Sequence, residues 1–266
     1  MVNYKYRQKS RYKKNSKHNC RKKSQKRNIN KTSRKDSHYF LEIRSSGYAK
    51  KYVDKISMEL KSKFNSQHST KPHITLFGPF TIPGNQQEVV SKMIQVCKKY
   101  QNPNLIYYNL KGFNSFRKDV IYLDVKPSED LKNIRYELAQ KLLPITKSKS
   151  LHDKEGKNTF NFHMTLAFKN IGDKFNKIWT YLQKKEVPNI NQHLLRVAIL
   201  KNHKILYEYD LILKKALDRK NSLRREVFAD TINVFNKLKR KNYGQKSIKV
   251  ELNKQKTFLE RIKSFF

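Results

Sequence analysis

The sequence predicts an α+β protein, because short runs with strand periodicity alternate with amphipathic helical runs between residues 38 and 213. At 266 residues the chain is long enough for one sizeable domain with appendages. Composition shifts mark the boundaries of that domain, since both ends of the chain are strongly basic. We therefore expect a basic arm at residues 1–37, an α+β domain at 38–215 and a basic helical extension at 216–266.

Strand and helix patterns alternate in the first half of the domain. Residues 39–44 form an apolar-rich strand candidate, and residues 49–64 carry apolar side chains at helical spacing. A second strand is predicted at 73–77 and a second helix at about 86–100. Two more strands are predicted at 107–113 and 119–125. The second of these is expected to be covered on both faces, since alternation places Val120, Tyr122 and Asp124 on one face and Ile121, Leu123 and Val125 on the other.

The second half continues the alternation. Ser128 is predicted to begin a helix that carries Glu129 and Asp130 in its first turn and ends before Pro144. A strand is predicted at 159–168, a helix at 175–185, and a hairpin of 194–200 with 204–213. Beyond residue 216, apolar side chains recur at helical intervals in a basic background. That extension could pack on the domain, bind a partner or pair with another copy, and the sequence leaves these three open.

The charge of the chain predicts a polyanionic partner. There are 60 Lys and Arg against 21 Asp and Glu, which gives a formal net charge of +39. Residues 1–35 hold 15 Lys or Arg, no acidic residue and few apolar ones, so we expect a disordered arm that binds RNA. A solubilising tail and an anionic membrane surface are the alternatives. No run approaches the roughly 18 apolar residues of a membrane span, so we expect a cytoplasmic protein that binds no membrane.

Two copies of the string His-x-Thr-Leu lie in strand candidates 90 residues apart. They are His73-Ile74-Thr75-Leu76 and His163-Met164-Thr165-Leu166. On a strand, residues i and i+2 project to one face about 7 Å apart, so each histidine and its threonine point to the same side. Chance would give roughly 0.1 such strings in this composition. A lone strand histidine is more often structural, but the pair favours a functional site.

Two imidazoles and two hydroxyls suit the cleavage of a phosphodiester. One imidazole can accept a proton from the nucleophile while the other protonates the leaving oxygen. The hydroxyls can donate to the non-bridging oxygens, where charge accumulates in the transition state. No metal is needed for these steps. Lys71, Arg117 and Lys169 lie near the motifs, and a solvated surface role is the default for each in so basic a chain.

With these motifs the sequence resembles the two-histidine (2H) phosphoesterases, in the branch of RNA 2′,3′-cyclic phosphodiesterases and 2′-5′ RNA ligases. The resemblance runs from about residue 38 to 213. It implies two pseudo-symmetric lobes with antiparallel sheets and flanking helices enclosing a central cleft. It also implies that His73 and His163 are catalytic, that Thr75 and Thr165 bind the substrate, and that there is no cofactor and no metal. By the same resemblance, His163 is favoured as the base and His73 as the acid.

The predicted function is a metal-independent RNA phosphoesterase that opens 2′,3′-cyclic phosphate ends, with RNA as the partner. A reverse 2′-5′ RNA ligase activity is left open by the same resemblance. One alternative is an RNA-binding or ribonucleoprotein-associated protein whose cleft merely holds a phosphate. Another is a phosphodiesterase that acts on a small nucleotide.

Overall fold

The computed structural model describes residues 37–68, 71–100, 102 and 106–240. Residues 1–36, which make up nearly all of the predicted basic arm, and residues 241–266 of the predicted extension lie outside the described part. The described residues form helices and two sheets in which every strand pairing is antiparallel. The predicted α+β class with antiparallel sheets is therefore confirmed.

The described elements follow one another in an order that mixes strands and helices along the chain. In chain order they are β1 (Tyr39–Arg44), α1 (Gly47–Phe64), β2 (His73–Thr81), α2 (Gln86–Lys99), β3 (Tyr107–Phe116), β4 (Val120–Pro127), α3 (Glu129–Leu142), β5 (Lys147–Ser148), β6 (His163–Phe168), α4 (Phe175–Gln183), β7 (Asn189–His193), β8 (Arg196–Lys201), β9 (Lys204–Asp210), β10 (Lys215–Asp218), α5 (Arg219–Ser222) and α6 (225–240).

The larger sheet has six strands in the order β10-β9-β8-β1-β2-β5. β1 is central, and its register with β2 places Glu42 opposite Thr75 and Arg44 opposite His73. Directly opposed residues lie on the same face of a sheet, so these four side chains share one face. The hairpin predicted around residues 201–203 is present, since β8 and β9 pair on either side of Asn202 and His203.

The smaller sheet has four strands in the order β6-β4-β3-β7. Its β3 strand carries a bulge at Gly112, whose φ of 72° lies in the left-handed region that glycine adopts without strain. A bulge of one residue exchanges the faces of the residues that follow it. As a result Leu110 pairs with Val125 on the core face, whereas Asn114 pairs with Tyr122 on the opposite face.

The strands of the structure differ from the predicted ones in several places: β2 continues to Thr81, and β5, β7 and β10 were not predicted. The strand predicted at 159–168 begins only at His163, because Thr159 and Phe160 close a turn by hydrogen bonds to the carbonyl of Gly156. The edge strand β7 was not predicted, since its sequence Asn-Ile-Asn-Gln-His has no apolar alternation. It is nevertheless held by main-chain pairing with β3, a contact that only the tertiary structure supplies.

Helices cover the sheets with the apolar faces that the periodicity predicts. α1 buries Val53, Ile56 and Leu60 in the core shared with the sheets. The predicted start of α3 is confirmed, because the Ser128 side chain caps it by accepting from the amide of Leu131. None of the helices over the described residues is long and apolar enough to cross a membrane.

The C-terminal residues 219–240 pack on the domain. α6 contributes Phe235 to a small apolar cluster with Leu195 and Ile212. Beside this cluster the buried guanidinium of Arg196 donates to the carboxylates of Asp210 and Glu208 at 2.8 and 3.2 Å. The same guanidinium reaches α6, where it donates to the hydroxyl of Thr231 at 2.7 Å and to the carbonyl of Val227 at 3.1 Å.

Candidate active site

The two motif strands lie where the two sheets meet, because β2 of the larger sheet contacts β6 of the smaller one. In β2, Ile74 and Leu76 are fully buried, whereas His73 and Thr75 are partly exposed. The same alternation, partly exposed His and Thr with fully buried neighbours, holds in β6 for His163, Met164, Thr165 and Leu166. Each histidine therefore shares an accessible face with its threonine.

The fold brings the two histidines into one electrostatic environment. Burial lowers the pKa of His163, and positive charge on His152 and on His73 acts in the same direction. The catalytic roles of His73 and His163, and the substrate-binding roles of Thr75 and Thr165, stay predictions that this placement makes geometrically reasonable.

Both histidines are oriented by the same local contact. Nδ1 of His73 lies 2.9 Å from the carbonyl oxygen of Lys71, and Nδ1 of His163 lies 3.0 Å from the carbonyl oxygen of Asn161. A carbonyl only accepts hydrogen bonds, so Nδ1 carries the proton in both rings. Nε2 is then the nitrogen that gains or loses a proton when each imidazole changes charge. Both imidazoles are thus prepared to exchange a proton through the same atom.

Aromatic side chains lie around His163. The ring of Phe116 meets the imidazole edge to face with 4.9 Å between centroids, and Tyr122 lies at 5.3 Å. Phe116, which follows the Gly112 bulge in β3, lies on the same face of the sheet as Tyr122. Burial among them lowers the pKa of His163 below its ordinary value of 6.5, although the bond to Asn161 opposes this shift. The neutral form of His163 is therefore favoured near neutral pH.

A carboxylate accompanies His73 instead. Oε2 of the buried Glu42 lies 3.9 Å from Nε2 of His73, and Oε1 lies 3.9 Å from Nε of Arg44. Burial raises the pKa of the Glu42 carboxyl, and the charges of His73 and Arg44 oppose that rise. The two histidines thus lie in different surroundings, with a carboxylate beside His73 and aromatic rings around His163.

Replacing Glu42 with Gln is expected to lower kcat. The substitution keeps the shape of the side chain but removes the carboxylate that lies 3.9 Å from Nε2 of His73, the predicted acid. The acidic limb of the pH profile should stay below about pH 6.5, since burial lowers the pKa of His163 and that limb reports its protonation. The measurement is kcat/KM on a cyclic-phosphate substrate between pH 4.5 and 9. A kcat equal to the parent's across this range would show that Glu42 does not act on His73.

Sequence reasoning missed Glu42 and the two carbonyls that orient the imidazoles. The one available signal for Glu42 was a charged residue inside an otherwise apolar strand candidate, which usually means that the charge has a partner. The contacts from Lys71 and Asn161 are made by main-chain atoms, so no side-chain pattern records them. Among the described residues, no group of three or more His, Cys, Asp or Glu side chains is placed to hold a metal ion.

Two neighbouring strands, β2 and β6, each present a histidine and a threonine on a partly exposed face. A family model described as the 2′-5′ RNA ligase superfamily matches residues 49–204, more than half of the chain and both motifs. The chain therefore belongs to this superfamily, as the resemblance predicted. A search of curated proteins finds no significant match.

Several solved structures are similar to this chain at low sequence identity. TT0787 of Thermus thermophilus is 11% identical, with a TM-score of 0.45, and the match covers 65% of this chain and 97% of that one. Escherichia coli LigT complexed with 3′-AMP is 10% identical, with a TM-score of 0.40 and coverage of 68% and 92%. Kluyveromyces marxianus Usb1 with uridine monophosphate is 11% identical, with a TM-score of 0.37 and coverage of 64% and 95%.

Proposed function

We propose that this protein is an RNA phosphoesterase that opens 2′,3′-cyclic phosphate ends to a phosphomonoester. The observation that carries the proposal is the pair of imidazoles, which share the same Nδ1 contact and differ in their neighbours, a carboxylate for His73 and an aromatic ring for His163. His163, with its lowered pKa, suits the base, and His73, beside Glu42, suits the acid. These roles agree with those that the family resemblance implies.

The reaction follows from these roles. Nε2 of His163 removes a proton from water, and the water oxygen forms a bond to phosphorus. The bond from phosphorus to one ribose oxygen breaks, and that oxygen takes the proton from Nε2 of His73. The hydroxyls of Thr75 and Thr165 donate to the non-bridging oxygens as their negative charge grows. Because the same groups serve the reverse displacement, with a ribose hydroxyl in place of water, the site also suits 2′-5′ joining.

The positive charge of the chain favours RNA over a small nucleotide as the substrate. The formal net charge of +39 provides a long-range attraction for a polyanion, and much of it lies in the first 35 residues. Contacts to the phosphate backbone raise affinity without reading the base sequence. We propose that the protein works on RNA in the cytoplasm.

Hydrolysis of a short RNA that ends in a 2′,3′-cyclic phosphate is expected to proceed unchanged in excess chelator. The two imidazoles and two hydroxyls supply proton transfer and charge stabilisation, so no step requires a divalent ion. The measurement is single-turnover cleavage, with and without chelator, followed by separation of the cyclic and opened ends. Loss of turnover in chelator that a divalent ion restores would refute the mechanism. Tight binding of the RNA without turnover would favour the binding-protein alternative.

A further inference from the structure

A small cavity of about 180 Å³ opens beside His73. Its lining includes residues of β1, β2, β8, β9 and α5, and His73 and Glu42 are among them. Cavities that hold drug-sized ligands usually measure about 300–1,000 Å³. A volume of this size fits one compact group, such as a phosphate, better than a base with its sugar.

The polar lining of this cavity is mostly cationic. Glu42 is its one carboxylate, and it already lies near Arg44 and His73. Four side chains with fixed positive charge line the cavity, namely Arg44, Lys71, Lys204 and Arg219. The lining therefore has a net positive charge even with both of its histidines neutral, and it is complementary to an anion.

Arg219 lines this cavity from outside the part of the chain that the family model matches. It lies in α5, beyond the matched residues 49–204, and donates from Nη1 to the carbonyl of Ile205 at 3.2 Å. That bond uses one of the five N–H donors of the guanidinium, which leaves others for a ligand. Lys204, at the start of β9, lines the same cavity. Arg219 and Lys204 thus complete a cationic recess beside His73, the proposed acid.

The chemistry of the reaction indicates which part of an RNA substrate would reach this recess. When a 2′,3′-cyclic phosphate opens, the acid protonates an oxygen of the terminal ribose, so the ribose lies on the His73 side of phosphorus. The 5′ oxygen of that ribose carries the next phosphate of the chain. Resting on the proposed function, we propose that the recess lined by Lys204 and Arg219 binds this 5′ phosphate of the terminal nucleotide. The preferred substrate is then a polynucleotide end or a 5′-phosphorylated cyclic nucleotide.

The test compares two small substrates, adenosine 2′,3′-cyclic phosphate with a 5′-hydroxyl and the same compound with a 5′-phosphate. The parent protein is expected to prefer the 5′-phosphate in kcat/KM by roughly tenfold, as charge-assisted hydrogen bonds to a phosphate provide. Lys204→Gln and Arg219→Gln should each reduce that ratio, and the double variant should bring it close to one. Lys220→Gln is the matched control, because Lys220 neighbours Arg219 and does not line the cavity. Its ratio should equal the parent's.

Equilibrium binding of adenosine 3′-phosphate and adenosine 3′,5′-bisphosphate to the same variants separates this proposal from the proposed function. A parent that hydrolyses both cyclic substrates without preference would overturn the recess assignment alone. So would a preference for the 5′-phosphate that Lys220→Gln reduces as much as Lys204→Gln and Arg219→Gln do. A parent that hydrolyses neither compound, yet binds the bisphosphate more tightly through Lys204 and Arg219, would overturn the proposed function and support the recess. Equal binding of both ligands by a parent without activity would overturn both.

Discussion

Replacing His73 or His163 with Ala is expected to lower the single-turnover rate on a cyclic-phosphate RNA by about 10²–10⁴ in each case, the usual contribution of a general acid or base. Each imidazole serves the same displacement, one by removing a proton from water and the other by protonating the ribose oxygen. The double variant should therefore lose less than the product of the two single losses, because residues that act as a unit show non-additive effects.

The threonines provide the internal comparison for this experiment. Thr75→Val and Thr165→Val keep the shape of the side chain and remove one hydroxyl donor, so each should cost less than either histidine change. All variants should match the parent in circular dichroism, because these four positions are partly exposed and none contributes to the buried cluster. Rates near the parent's for a folded His73→Ala or His163→Ala protein would rule out the two-histidine mechanism and favour the binding-protein alternative.

Replacing Arg196 with Met is expected to lower the free energy of unfolding by about 3–5 kcal/mol, the usual cost of removing one partner from a buried ion pair. The side chains of Asp210 and Glu208 are 0% and 6% exposed, so both carboxylates would stay buried without their cation. The variant also loses the bonds from Arg196 to Thr231 and Val227, which join α6 to the larger sheet. We therefore expect earlier proteolysis within residues 225–240 as well as a lower denaturant midpoint.

Arg224→Ala is the matched control for that experiment. Its guanidinium lies 3.6 Å from Glu226, but both side chains are more than half exposed. Exposed ion pairs of this kind contribute less than about 1 kcal/mol. Equal midpoints for the two variants would contradict the assignment of a structural role to the buried Arg196 cluster.

Local patterns were sufficient to predict most elements and both motifs. Helical spacing of apolar side chains predicted α1 and α2, and Ser128 with its acidic neighbours predicted the start of α3. The alternation of strands placed each motif histidine on the same face as its threonine, and the burial of Ile74 and Met164 agrees with that placement. These features depend on residues close in the chain, so a sequence can report them.

Local sequence patterns could not predict the contacts between distant segments of the chain. Glu42 reaches His73 because β1 pairs with β2, and Phe116 reaches His163 because a bulge at Gly112 exchanges the faces of β3. Neither register nor bulge has a clear signature in side-chain periodicity. The different surroundings of the two histidines, which separate the proposed acid from the proposed base, are therefore a result of tertiary structure.

By itself, the sequence determined which residues could carry the chemistry and on which face of a strand they lie. It did so because a period of two residues and a repeated His-x-Thr string are properties of short segments. Only the tertiary structure decided that β2 and β6 meet, that a carboxylate accompanies one histidine and aromatic rings the other, and that Arg219 from beyond the matched residues lines a recess beside the site. Proximity and burial arise from packing between distant segments, and burial lowers the pKa of His163.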